Sequence, residues 1–382
     1  MLRPLRLQPD NFTPATRTPW GGRKIVGRYK RGLAASWDTS ATPIVGESWE
    51  ISVEPSFPSR VIASDDLVEG GRSAESPRAA ADRDRAGATL AERIVLDPVG
   101  WLGPDVAAAA DGQLTLLVKL LDAADNLSVQ VHPRAGDPAL ASNESGKPEA
   151  WVILERDAGA GLYLGFRDGV TRASVEACLA SHGDLAQLLN FVPVEPWDVF
   201  LIEAGTPHAI GAGVTLFEPQ FITPGRVGVT YRFWDWNRRY DEAGGLSDAG
   251  RPRALHIEES LRVTEWEAPR GAAFVESCRS RPAEEVDDRG PTRATLVDWR
   301  YFRVDRLSGV GRWTLPTPTL TGLTCIAGSV SIETRTGAIE LGPGQSGVVP
   351  FAAGAIALTL RGEGSPRGAP GGAIVLVSWP GL

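Results

Sequence analysis

Apolar and polar residues alternate in short runs along most of this chain. In LSVQVHP (127–133), Val129 and Val131 fall on one parity and Ser128, Gln130 and His132 on the other. A strand over these residues puts an apolar row on one face and a polar row on the opposite face. Further short runs, bounded by glycine and proline, predict strands at ESWEIS (48–53), LTLLVKLLDA (114–123), AWVILE (150–155) and LYLGF (162–166). DVFLIEAGTPHAIGAG, GVTLFEPQF and VGVTYRFWDWN continue the strand pattern. Helical spacing is confined to three places. A short helix begins near TLAERIVLDP. Val175, Leu179, Leu185, Leu188 and Leu189 recur at helix-like intervals on either side of Gly183. RALHIEESLRVTEW (253–266) reads as one amphipathic helix. Residues 67–88 are polar and alanine-rich without β periodicity and read as a mobile loop. From about residue 270 the pattern is β to the end, with the short-strand rhythm of a small barrel or jelly roll. The expectation is a mainly β chain of two successive barrels with a few short helices. The first, 1–266 with a helical insert, carries the chemistry; the second, 267–382, is non-catalytic.

The 43 glycines and 29 prolines among 382 residues support many turns and short strands. A net charge of −8 argues against a general nucleic-acid binder but leaves room for a small anionic substrate, which needs only a few local cations. Cys178, Cys278 and Cys325 are odd in number and widely spaced, so neither a disulfide framework nor a CxxC metal knuckle is expected. No apolar stretch at the N-terminus resembles a signal peptide, and no run approaches the ~18 apolar residues of a membrane span. A cytoplasmic protein without membrane or nucleic-acid partners is expected.

The chain has four histidines. His182 reads as a helix C-terminal residue near the negative end of the dipole. His256, near the start of the amphipathic helix, reads as structural. His132 and His208 stand in strand-borne polar settings, with Gln130 two residues before the first and Glu149 opening a strand between them. Two imidazoles, a carboxylate and an amide oxygen suit zinc or a similar divalent ion, with a position left for water or substrate. Taken singly, each histidine is more often a hydrogen-bonded interior residue, and Glu149 is more often a turn carboxylate. The last histidine is His256, so a histidine-based metal site in the second half is excluded.

LVKLLDAADNLSVQVHP, GKPEAWVIL and AGTPHAIGAG resemble signature segments of the mannose-6-phosphate isomerase family, the zinc-dependent cupin kind. GESWEIS and TPWGGRK resemble its short bacterial members. The resemblance implies two cupin-like jelly-roll barrels and one Zn2+ per chain held by Gln130, His132, Glu149 and His208. It also implies a sugar-phosphate pocket lined by Ser128, Lys119 and Lys147, and interconversion of mannose 6-phosphate and fructose 6-phosphate. Lys119, in the apolar LLVKLL, would be costly to bury without an anionic partner, which a substrate phosphate could supply. Lys147, in a turn, also reads as a solvated surface residue. Proton transfer needs a base near neutral pKa, for which Lys119, Lys147 and Glu218 are candidates. Arg232 in TYRFWDWNR matches the family's active-site arginine. More residues than the family spacing separate it from Glu218, and Gly-Val stands before its strand in place of Ser-Asp, so Arg226 is a rival. PWD (196–198) replaces a PGD turn. A non-catalytic sugar-phosphate sensor and an iron-dependent cupin oxygenase are the competing readings. The partner expected is a small sugar phosphate, bound by a monomer or homodimer.

Overall fold

The computed structural model describes residues 1–36, 44–62, 87–285, 291–362 and 372–381. All but the last two residues of the loop expected over 67–88 lie outside these. Among the described residues strands predominate and helices are short, so the chain is mainly β as its alternation predicts.

The first half is built from two antiparallel sheets. Glu47–Ile51, Leu116–Asp122, Val214–Phe221, Glu149–Arg156, Val199–Ile202 and Arg279–Ser280 lie side by side in one. Tyr231–Trp234, Val129–Val131, His208–Ile210, Gly161–Phe166 and Leu189–Pro193 form the other. The six-stranded sheet is covered on both faces. Leu116, Val118, Leu120, Ala150, Val152 and Phe217 enter a core shared with the second half of the chain. Residues of the other parity, among them Lys119, Glu149, Trp151, Glu218 and Gln220, point toward the five-stranded sheet and are buried as well. That double coverage explains why LLVKLL is apolar on either side of its one cation.

The second half packs an eight-stranded sheet on a four-stranded one around an apolar core that includes Leu323, Val330, Leu358 and Val375. The chain crosses the division expected at residue 266 in both directions. Leu5–Leu7 pairs with Ser346–Val349 and with Val61–Ile62, so N-terminal strands finish the second sheet. Arg279–Ser280 pairs back onto Val199–Phe200 of the first half. The β pattern expected from about 270 is also interrupted by a helix, Gly271–Cys278. Its Phe274 is seated on Gly165, where φ is +62° and an added Cβ would lie 2.2 Å from the ring. Tertiary packing therefore overrides a weak local pattern. The amphipathic segment at 253–266 is helical only over Ile257–Val263. Its pattern extends further because Trp266 stacks on Phe166, with ring centroids 5.3 Å apart.

Local signals fix other ends. Thr89 and Glu92 form a reciprocal capping box at the start of the Leu90–Leu96 helix. The Arg172–Ala180 helix is followed by exposed His182 at φ +52°, so the histidine itself takes the left-handed step next to Gly183. In PWD, Trp197 takes φ +75°, a conformation suited to glycine, and the Arg306 guanidinium lies 4.5 Å from its ring centroid.

A buried ion pair ties the halves together. Lys30 and Glu50 approach to 2.7 Å, and Lys30 Nζ also donates to the Pro9 carbonyl. Glu50 accepts from Ser48 and, across the interface, from Ser346 Oγ at 2.8 Å. Breaking such a pair strands a charge without water. Glu50→Gln is expected to lower unfolding stability by about 3–5 kcal/mol, measured as a reduced urea midpoint; an unchanged midpoint would show that the pair is not needed.

Candidate metal centre

Register brings the polar row of the opening strand to a centre. Gln130 lies directly opposite His208 on one side and Arg232 on the other, and directly opposed residues share a sheet face. His132 follows the same strand by one residue. Across the interior, Glu149 begins a strand of the six-stranded sheet, whose Gln220 stands opposite it.

His132 Nε2 and His208 Nε2 each lie 3.5 Å from a Glu149 oxygen, the former from Oε2 and the latter from Oε1. The three side chains are buried, and one donor atom from each falls within 4.8 Å of the others. Both imidazoles are oriented through the remaining nitrogen. His132 Nδ1 is 3.1 Å from the Val229 carbonyl and His208 Nδ1 is 2.8 Å from that of Thr206. A carbonyl only accepts, so each Nδ1 carries the proton and each Nε2 lone pair faces Glu149. His132 Nε2 has no hydrogen-bond partner. Burial, followed by the neighbouring His132, pushes the His208 imidazole down to about 3. Burial, followed by Lys147, also lowers His132. Burial would raise the Glu149 carboxyl, but Lys147 and His132 outweigh it and hold the group well below the usual carboxylate range. Neutral imidazoles beside an ionised carboxylate are the protonation states that bind a metal, and the unsatisfied Nε2 fits one. Among the described residues this is the one group of three histidine, cysteine or acidic side chains with metal-site geometry. The donors suit a divalent ion.

A second layer surrounds this group. Gln220 Nε2 bridges Glu149 Oε2 at 2.9 Å and Glu218 Oε2 at 2.7 Å. Trp151 Nε1 donates to Glu218 Oε1 at 3.2 Å. Burial, reinforced by Glu149, pushes the Glu218 carboxyl up to about 7. Lys119 Nζ is 3.5 Å from Glu218, 3.8 Å from Glu47 and 4.4 Å from the Trp49 ring centroid. The anionic partners it needs are thus the protein's own carboxylates rather than a substrate phosphate. Lys147 is not a solvated turn residue: its ammonium is largely buried, 3.1 Å from Glu149 Oε2.

A cavity of about 170 Å3 opens beside the group, lined among others by Ser128, Gln130, Lys119, Lys147 and Glu218. Gln130 Nε2 donates to Ser128 Oγ at 3.3 Å. Arg232 lines the cavity; Arg226 does not, being exposed with Nη1 3.4 Å from the Glu144 carbonyl. His256 lies apart from the cavity and accepts from the Arg232 backbone N–H at 3.1 Å. Sequence reasoning overlooked Gln220, Glu47, Arg17 and Arg253, the last three of which line the cavity. The Glu218-x-Gln220 alternation was the available signal for Gln220. Nothing local marks Arg253. The three cysteines are free, and among the described residues no helix is long and apolar enough to cross a membrane.

Two facing antiparallel sheets with a buried His–Glu–His group between them define a cupin-type protein whose interior has the donors to hold a metal ion. The model of the phosphomannose isomerase type I catalytic domain matches residues 74–150. A mannose-6-phosphate isomerase of Streptococcus mutans is 38% identical over 148 residues. The aligned stretch takes in 39% of this chain and 43% of that relative, so the match spans less than half of the relative's length. The crystal structure of the mannose 6-phosphate isomerase from Bacillus subtilis superposes with a TM-score of 0.73 at 22% identity, covering 99% of both chains. A zinc-bound mannose 6-phosphate isomerase superposes with a TM-score of 0.65 at 16% identity over the full length of both. The chain is thus similar to mannose-6-phosphate isomerases in part of its sequence and in fold over its whole length.

Proposed function

We propose that this protein interconverts mannose 6-phosphate and fructose 6-phosphate in the cytoplasm, as a monomer or homodimer. One zinc ion would be held by Gln130, His132, Glu149 and His208. The observation that carries this reading is the buried His132–Glu149–His208 group, with its unpartnered Nε2, opening on a cavity rich in cations. When bound, the ion supplies a Lewis acid for the carbonyl and hydroxyl oxygens of the sugar.

The protein's own groups do the rest. Isomerisation moves a proton from C2 to C1 through an enediolate, while a hydroxyl proton passes from O2 to O1. Glu218 is the best-suited base of the three candidates. Its carboxyl is lifted to about 7, so it can take the C2 proton and return it near neutral pH. The attraction of Glu149 and Glu218 overcomes burial and keeps Lys147 protonated, which suits it to binding rather than proton abstraction. Lys119 stands beside Glu218 and stabilises its charged form. Ser128 and Lys147 would contact the sugar, and Arg232 would hold negative charge through its planar fork. Residues 1–266 supply this chemistry and 267–382 supply packing, in keeping with a cavity whose lining residues all precede residue 254.

The test is turnover of mannose 6-phosphate by zinc-loaded protein in deuterated water. Conversion with deuterium at C1 of fructose 6-phosphate is the expected result, because a proton held by a carboxylate exchanges with solvent before its return. Binding without either conversion or exchange would replace the isomerase by a sugar-phosphate sensor.

A further inference from the structure

The isomerase reading leaves open which groups receive the phosphate, and the side chains at the cavity's outer end bear on this. We propose that Arg253, paired with Arg232, forms the subsite for the phosphate of the substrate; this rests on the sugar-phosphate reading above.

Three guanidinium groups gather here. Arg253 is clamped by Asp235 through two bonds, Nε to Oδ2 at 2.7 Å and Nη2 to Oδ1 at 2.6 Å. Asp235 also accepts from Arg238 at 2.8 Å, and Arg238 reaches Asp125 at 2.7 Å. Two carboxylates therefore hydrogen-bond Arg238 and Arg253, and neither is hydrogen-bonded to Arg232. Among the described residues Arg232 has no carboxylate partner. Its Nη1 donates to the Ala254 carbonyl at 2.9 Å, and its buried Nε donates to nothing. Burial, followed by the nearby Arg253, pulls the Arg232 guanidinium below its ordinary value, and the attraction of Asp235 does not offset them. Arg253 Nη1 likewise makes no hydrogen bond among the described residues, while its ring neighbour Tyr240 lies 5.1 Å away. An excess positive charge with idle donors on two fixed planar forks matches a dianionic phosphate.

Position agrees with charge. Arg253 lines the cavity beside the metal group and also an outer recess of about 620 Å3, and no other residue is common to both linings. It therefore marks the rim, with the His–Glu–His group at the inner end. In a hexose 6-phosphate the phosphate is at the opposite end from C1 and C2. With the reacting carbons at the metal, the phosphate falls toward Arg253.

Arg253→Met is the test, since it leaves Asp235 paired with Arg238. Arg253→Gln, which keeps a donor toward Asp235, is the second variant should the first not fold. Inorganic phosphate binding to zinc-loaded protein, measured by calorimetry, should weaken by about 10- to 100-fold, the scale of one charge-assisted contact. KM for mannose 6-phosphate should rise by a similar factor, with a smaller fall in kcat. The preference for mannose 6-phosphate over mannose should drop in parallel. A folded variant whose phosphate affinity stays within about twofold of wild type overturns the assignment, as does wild-type protein that binds no phosphate at millimolar concentration. If phosphate binding is lost in the variant while wild type converts no sugar, the anion site stands and the isomerase reading alone fails.

Discussion

Alanine in place of His132 should empty the metal centre. Wild-type protein dialysed free of loose ions is expected to carry about one equivalent of divalent metal by elemental analysis. His132→Ala should lose it. Loss of an outer-shell partner already weakens metal sites by roughly 10- to 100-fold, and removal of a direct donor should do more. The variant would leave Glu149 facing Lys147 and one imidazole, with the remaining His208 lone pair insufficient to close the coordination shell. Chelator should lower the thermal midpoint of wild type, because an ion that binds only the folded state stabilises it; it should not alter that of His132→Ala. His182→Ala is the control, since His182 is exposed beyond a helix end. Full metal content in a folded His132→Ala protein would remove His132 from the centre.

The second large effect concerns charge. Arg232→Ala is expected to cut kcat/KM for mannose 6-phosphate by about a hundredfold or more, the scale of one charged hydrogen-bonding partner lost from an anionic group, with metal content retained. Arg232→Lys should recover only part of the loss, because an ammonium cannot reproduce the fork held at the Ala254 carbonyl. Arg226→Ala, on an exposed turn outside the cavity, should change turnover by no more than a few-fold. Equal effects of the two alanine variants in steady-state kinetics would sink the assignment of Arg232.

Much of this centre could be read from alternation alone. Gln130 and His132 share a strand parity opposite Val129 and Val131, and a polar pair facing inward from a buried strand must be satisfied by something. What alternation cannot give is register across sheets. Gln220 shares a parity with Glu218 in LFEPQF, yet only the pairing of its strand with Glu149–Arg156 sets its amide between two carboxylates. Lys119 looked as though it needed an external anion because Glu47 and Glu218 are distant in sequence and arrive from neighbouring strands. Arg253 had no local signature, since its role depends on Asp235, eighteen residues earlier, and on a turn of chain that periodicity does not describe. The Gly271–Cys278 helix was hidden for a different reason: its eight residues are too few for a period to stand out, and its place is set by Phe274 fitting Gly165.

The pairing of Leu5–Leu7 with Ser346–Val349 joins residues roughly 340 positions apart. Chains grow from the N-terminus at about 5–20 residues per second, so Val61–Ile62 can cover one edge of this strand early, while the other edge has no partner until synthesis is nearly over. A ribosome-bound chain must therefore leave that second edge open for tens of seconds, and a three-residue strand with basic Arg6 at its centre is poorly suited to pairing with other chains in that interval. The same closure means that a chain truncated before residue 346 would lose an N-terminal contact as well as its C-terminal strands, so partial products should be cleared by proteases rather than persist as a free first half.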